Sequence, residues 1–394
     1  MAYLQQFALA AVSSAVVLAG CGGSSGSSSG TTGDGDPETQ TGVFLDSAVG
    51  GIGYRTDSGS GITNAQGEFS YEEGETVVFF IGDLEFPPVL ARGVVTPAEI
   101  GEGAGTTTAI NILQILQSLD SDGDPSNGIS IYENADNVFT GVGDGLDVTS
   151  ATFDNEVAAS LSSVDSGLTL VSEAVAADNF AETQRARLPG SWVFEEGPNQ
   201  RNVLSFIDGT QYVIFHESDA GESQTAGSGE YGTYTWDVAG GTMAFVTESE
   251  SDGRGGLNSR TASVELLDDT LTLELDDGTA TFSRVSDESN ELVGGRLFFD
   301  ETRPENNVLT ILNDSEYAIF HDNNEGVQAL SGEFGTYTYV DGVFSVTGTS
   351  VNTDGEGGFA SIDGGLFSGP VALASDGSLE FVPNTENAFT FEKL

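Results

Sequence analysis

The chain is poor in positive charge, in cysteine and in histidine. Only 11 of its 394 residues are Lys or Arg, and Lys393 is the single lysine. Against them stand 62 Asp and Glu, for a formal net charge of −51. So acidic a surface repels phosphate backbones and anionic headgroups, which excludes nucleic acid as a partner and docking onto acidic bilayers. It suits solubility in a salty medium, where screening removes the self-repulsion, and it leaves room for some acids to collect divalent cations. With one cysteine, Cys21, no internal disulfide can close. Stability must come from core burial, with metal as the other resource. The string G-x-S-x-G occurs only inside the Gly/Ser run (Gly22 to Gly26 and Gly26 to Gly30), with no strand before it or helix after it to make an elbow, and there is no H-E-x-x-H pair. A glycosidase-type carboxylate pair is the one catalytic class that so many acids leave open, and nothing singles one out. The expectation is a protein that is not an enzyme. Proline is scarce at 10 and glycine abundant at 53. Short Val/Thr/Phe runs between Gly, Asn and Asp turns predict a mainly β chain.

Residues 7–19 form an apolar run of signal-peptide length, too short to span a bilayer comfortably as a mature helix. The run ends in Leu18-Ala19-Gly20-Cys21. This tetrad resembles the lipobox of bacterial lipoproteins. The resemblance implies cleavage before Cys21, acylation of its sulfur and a membrane tether through lipid. Gly22, where Asp would retain such a protein at the inner membrane, implies the outer membrane of a Gram-negative cell. Met1 to Gln6 depart from the pattern by carrying no Lys or Arg. Residues 22–41 are Gly/Ser-rich and read as a flexible coil of roughly 25 Å r.m.s. span. The expected organisation is a leader (1–20), a tether (21–41), a small β-sandwich with helices (42–187) and two β modules (188–287 and 292–394).

In the first domain, Gly42, Asp46, Val49, Gly51, Gly61, Thr63, Gly67, Phe69, Tyr71 and Gly74 fall in an order that resembles prealbumin-like or carboxypeptidase-regulatory-like β-sandwiches. Such modules are usually structural or glycan-facing appendages. A helical period follows over Thr106–Leu119, with Ile110, Leu113, Leu116 and Leu119 on one face. Next comes Asp120-Ser121-Asp122-Gly123-Asp124-Pro125-Ser126-Asn127-Gly128. Carboxylates at alternate positions after a helix resemble the start of an EF-hand-type loop, with Asp120, Asp122, Asp124 and Asn127 as ligands for Ca²⁺. Pro125 stands where that loop has Gly, and Ile131 where it has Glu. The alternative is an Asp/Gly/Pro turn that stops the helix. Residues 154–187 read as helical again and are stopped by Pro189-Gly190.

The second half repeats itself. Val203 to His216 matches Val308 to His321, and Ser228 to Thr235 matches Ser331 to Thr338. Each unit holds eight strand-like runs, which suits a small closed antiparallel barrel or a sandwich. The fold class expected is therefore mainly β: a small β-sandwich with accessory helices, then two tandem eight-stranded barrel-like modules. Gly190-Ser191-Trp192 at the start of the first unit, with Arg284 on its last strand, resembles the calycin (lipocalin-like) barrel. The resemblance implies that the guanidinium covers the indole. In the second unit Leu297 is aligned with the Trp and Lys393 with the Arg. His216 and His321 occupy equivalent strand ends and read as structural. Glu230 and Glu333 beside glycines read as turn caps, with a pairing or ligand role as alternatives. Tyr234, Trp236, Tyr337 and Tyr339 are candidate aromatic platforms for a ligand.

These features lead to three functional expectations. The first is a lipid-tethered binding module for glycan or another envelope component. The second is a structural or adhesion spacer engaging a protein partner. The third is a lipocalin-like carrier of a small apolar molecule, which would require an apolar cavity inside a barrel.

Overall fold

The computed structural model describes residues 39–394 except 103–105, 142–145, 198–199, 218–225, 252–255, 288, 301–302, 323–329, 354–357, 362–364 and 384–387. The leader, the lipobox, Cys21 and nearly all of the tether lie outside the described residues.

The first described strand begins at Thr39, inside the stretch expected as tether. β1 (Thr39–Phe44) pairs antiparallel with β5 (Glu68–Glu72) and parallel with β9 (Val94–Val95). A second sheet runs β4 (Ser60–Ile62), β3 (Gly53–Arg55), β6 (Thr76–Ile81) and β7 (Leu84–Glu85), with β8 (Val89–Leu90) also on β6. β2 (Val49–Gly50) pairs with β10 (Ile129–Ser130). Strict alternation puts Val77, Phe79 and Ile81 on one buried face of β6. Phe79 stacks on Phe44 of the first sheet, 4.0 Å between centroids, and meets Phe69 edge-on at 5.2 Å. The small sheets thus share one core.

Helices cover that core. α1 (Pro97–Glu102) and α2 (Thr106–Ser118) are followed by α3 (Ala135–Phe139), α4 (Phe153–Val164) and α5 (Glu173–Ala186). The expected single apolar face of α2 is corrected by the structure. Ile112, Ile115, Leu116 and Leu119 enter the first-domain core, whereas Leu113, with Ile110 beside it, packs on Ala176 and Phe180 of α5 and on Val238 of the next module. A helix enclosed on all sides needs polar groups satisfied inside. Asn111 donates to the Val148 and Ser150 carbonyls. Gln117 donates to both Asp46 oxygens, at 3.2 and 3.0 Å, and to Ala176 O.

Both repeats are closed eight-stranded barrels with simple up-and-down order, which settles barrel over sandwich. Barrel 1 comprises β11 (Gly190–Gly197), β12 (Gln200–Phe206), β13 (Gln211–His216), β14 (Gly229–Asp237), β15 (Thr242–Glu250), β16 (Thr261–Leu267), β17 (Thr270–Leu275) and β18 (Gly278–Arg284). Barrel 2 comprises β19 (Gly294–Asp300), β20 (Arg303–Ile311), β21 (Glu316–His321), β22 (Ser331–Val340), β23 (Val343–Asn352), β24 (Ser368–Leu373), β25 (Leu379–Phe381) and β26 (Phe389–Lys393). Their interiors are filled by their own side chains. Trp192, Tyr212, Phe206 and Phe245 fill the first, and a cluster including Phe344, Phe359, Phe381 and Phe391 fills the second.

The two barrels meet through equivalent surfaces. Val203, Val213, Phe215 and Tyr231 of barrel 1 cluster with Val308, Ala318, Phe320 and Phe334 of barrel 2, each the repeat partner of one of the others. Phe215 stacks on Phe334 at 4.7 Å. A side chain at Gly229 would collide with Phe320, and one at Gly332 with Phe215, so each glycine admits the other barrel's ring. Such reciprocity is the signature of a two-fold interface, here made within one chain. It explains why Val203–Phe206 and Tyr212–Phe215 are buried on successive residues: these strands have a core on one face and a partner barrel on the other. At the rim Arg201 is bidentate to Glu217 (2.7 and 2.9 Å) and reaches Glu316 of the other barrel at 3.0 Å.

Candidate functional site

The first domain grips barrel 1 through the end of α5. Ser172 caps the start of the helix by accepting from Val175 N. At the other end Arg185 donates to Trp236 O through Nε (3.3 Å) and Nη2 (3.2 Å). Arg187 donates to Asp268 O at 3.0 Å through Nη2 and to Gln184 Oε1 at 2.8 Å through Nη1. These arginines do more than complement the helix C-terminus, the role their sequence position suggests. α1 is fixed by a reciprocal cap in which Glu99 Oε2 accepts from Thr96 N at 2.8 Å.

Between α1, α2 and α5 on one side and β16 with the end of β14 on the other lies a cleft of about 570 Å³. This is within the usual range for small-molecule sites. Its walls are mainly apolar, with Ala109, Ile110, Leu113, Phe180, Val264 and Leu266 among them. Among the polar side chains of the wall, Trp236 is 8% exposed, Gln184 5% and Thr96 4%, and the Glu99 side chain is 8% exposed. The Trp236 indole N–H and the Gln184 amide Nε2 are both enclosed without a hydrogen-bond partner. The Gln184 amide cannot simply be turned over, because its oxygen already receives Arg187. Buried donors are rarely left unpaired in a folded protein, since each costs about 1–3 kcal/mol. Glu99, Glu102 and Glu265 also line the cleft, and no Lys, Arg or His does so among the described residues.

The expected aromatic platforms are corrected. Tyr234 and Tyr337 point into the barrels at 4% and 2% exposure, and their hydroxyls donate to Asp208 O and Asn313 O, each at 2.7 Å. Strand alternation places them inside, in step with the buried Trp236. Trp236 is thus no surface platform but a wall of the cleft. Only Tyr339 is exposed.

His216 and His321 each set Nδ1 at 2.5 Å from the Oδ1 of a cross-strand Asn, Asn202 and Asn307. Glu230 is buried and accepts from Tyr212 OH, from Thr247 Oγ1 at 3.0 Å and from the backbone N–H groups of Leu257 and Asn258. Glu333 accepts likewise from Tyr317 OH (2.6 Å), Phe359 N (2.8 Å) and Ala360 N (3.1 Å). Each repeated glutamate therefore anchors the long loop after the fifth strand of its barrel.

Arg284 lies over Trp192 with its carbon 4.1 Å from the ring centroid. The pairing expected in barrel 2 is off by one residue. The strand register sets Arg296, not Leu297, opposite Lys393, as Trp192 is opposite Arg284. Trp192 Nε1 donates to Leu188 O, and Arg296 Nη1 donates to the equivalent Leu292 O at 2.6 Å. Arg296 is fully buried, and burial pushes its pKa down to about 10.

Asp120, Asp122, Asp124 and Asn127 are neighbours, but their groups are turned to the loop itself. Asp122 accepts from Asp124 N and Asn127 Nδ2, Asp124 from Ser126 N and Oγ, and Asp120 from Ser130 N. Among the described residues no group of three or more His, Cys, Asp or Glu is placed to hold a metal ion. Asp120 Oδ2 is buried without a hydrogen-bond partner.

No family model matches the chain, and no curated protein matches it. Among solved structures, the Helicobacter pylori beta clamp in complex with carprofen is 8% identical, covering 41% of this chain and 56% of that one at a TM-score of 0.09. The same clamp bound to a DNA ligase peptide is 11% identical, covering 52% and 58%, also at 0.09. The chain thus spans a little over half the length of these structures, and scores this low carry no argument about fold or function.

Proposed function

We propose that this chain is a membrane-tethered, non-catalytic binding protein that holds a small ligand in the cleft between the helices and barrel 1. The observation that carries the reading is the cleft itself: a largely apolar space of about 570 Å³ whose wall holds two buried, unpaired donors. The filled barrel interiors disfavour a carrier of the lipocalin type, and the buried tyrosines disfavour a glycan platform. Cys21, acylated, would hold the body at the outer membrane, with residues 22–38 as its leash.

A spacer engaging a protein partner is the second reading. It draws on the barrel 2 hairpin, where Tyr339, Val340 and Val343 are exposed while the equivalent end of barrel 1 is covered by α2 and α5.

Titration of the purified chain with an uncharged solvatochromic dye separates the two. The cleft reading expects one saturable site with blue-shifted emission, weakened at least tenfold by Ala177→Phe, which fills the cleft from α5. Dye binding that ignores Ala177→Phe in a variant that still melts cooperatively would remove the reading.

A further inference from the structure

From the polarity of its wall we infer that the cleft takes an uncharged, mainly apolar molecule carrying an oxygen acceptor, such as a carbonyl, ester or hydroxyl. The inference rests on the cleft being the binding site and adds the chemistry of its occupant. Three observations combine.

Three buried atoms of the wall lack a hydrogen-bond partner: the Trp236 indole N–H and the Gln184 amide NH₂, both donors, and Glu99 Oε1, an acceptor already held in an ion pair by Arg92 Nη1 at 3.4 Å, which leaves the two donors for a ligand to answer. An indole can only donate, and the amide's acceptor end is taken by Arg187. A ligand that completes them must therefore bring an acceptor. An ammonium has none, so a cationic head leaves both donors unpaired even though acids stand nearby.

An anionic head would supply acceptors, but it would meet the wrong charges. Glu99, Glu102 and Glu265 line the space, and among the described residues no basic side chain does, Arg92 standing behind Glu99. The chain as a whole carries −51. Burying a carboxylate or phosphate here would add desolvation to repulsion. An uncharged acceptor satisfies the donors and escapes both.

The rest of the wall is hydrocarbon. Ile110, Leu113 and Phe180 from the helices face Val264, Leu266 and Leu267 from barrel 1. A sugar would bury many hydroxyls against groups that cannot answer them. An acyl chain or fused-ring body would instead gain burial from both sides and seal the first domain onto the barrel.

A matched series tests this by displacement of the uncharged dye: a medium-chain methyl ester, the carboxylate of the same chain and its primary ammonium analogue. The ester is expected to displace dye at least tenfold better than either ion. Trp236→Phe and Gln184→Glu should each weaken the ester roughly tenfold, the order of one net hydrogen bond. Gln184→Glu keeps an acceptor for Arg187 and exchanges the NH₂ donor for a second carboxylate oxygen, whose charge faces an uncharged ester. If either ion competes as well as the ester, or if both variants bind the ester like wild type, the inference about class falls while the site stands. If the dye is indifferent to Ala177→Phe, the site itself falls, and the two failures are distinct.

Discussion

Asp46 carries the largest electrostatic penalty visible at a single carboxylate of the first domain. It is 1% exposed, and Gln117 is the side chain that answers it. Burial raises its pKa from 3.8 to about 7, with the Gln117 hydrogen bond opposing the shift. An acid whose folded pKa lies above its unfolded one binds its proton more tightly when folded. Its contribution to stability is present at low pH and is lost as pH rises from about 4 to about 7. Asp46→Asn should remove that loss. The difference in unfolding free energy between variant and wild type should grow across this window, with a slope of up to about 1.4 kcal/mol per pH unit, and level off above it. Denaturant titrations at a series of pH values measure it, and a difference independent of pH would contradict the account. Residue-level reading of the sequence succeeded at Trp192 and Arg284, where a strand-opening indole and a basic residue on the closing strand met as expected. It slipped at Arg296. The Gly294-Gly295 doublet permits two alignments, and matching apolar to apolar selects Leu297. The buried position belongs to an arginine whose donors reach the Glu291, Leu292, Gly294 and Gly377 carbonyls.

At the scale of elements the repeats were the most legible part. Period-two alternation and turn residues gave each unit eight strands, the number that both barrels hold. The apolar runs of β12 and β13 also held a signal that alternation alone does not use: burial on both faces, and hence a partner surface. The helical layer was less legible. α2 looks one-faced in sequence, because which neighbour claims Leu113 is decided by α5 and barrel 1. Glu230 and Glu333 were legible as buried structural acids only in outline; the loops they anchor lie more than twenty residues downstream. Glu333→Gln keeps the shape but turns an amide NH₂ toward a backbone N–H donor. It should cost about 1–3 kcal/mol and raise amide exchange at Phe359 and Ala360, leaving Leu257 and Asn258 in barrel 1 unchanged. Exchange that rises equally in both barrels would show that the glutamate does not act locally.

On the scale of the whole molecule, two barrels meet through a pseudo-two-fold interface, and the first domain is clamped to barrel 1 by Arg185 and Arg187. The cleft is a product of that clamp. It could not be read from the sequence: Trp236 stood out only as one of four candidate surface aromatics, and Gln184 looks like any helix residue until the fold brings the two to one wall. The central claim is that this wall binds a ligand through its unpaired donors. The chain contains only two tryptophans, so an amide-type ¹⁵N spectrum shows two indole N–H signals. Trp192 Nε1 is held by Leu188 O at 3.0 Å, and the Trp236 N–H has no partner. Addition of the uncharged ester should move the Trp236 signal downfield to saturation and leave Trp192 in place. A Trp236 signal that stays still while the ester binds would contradict the account.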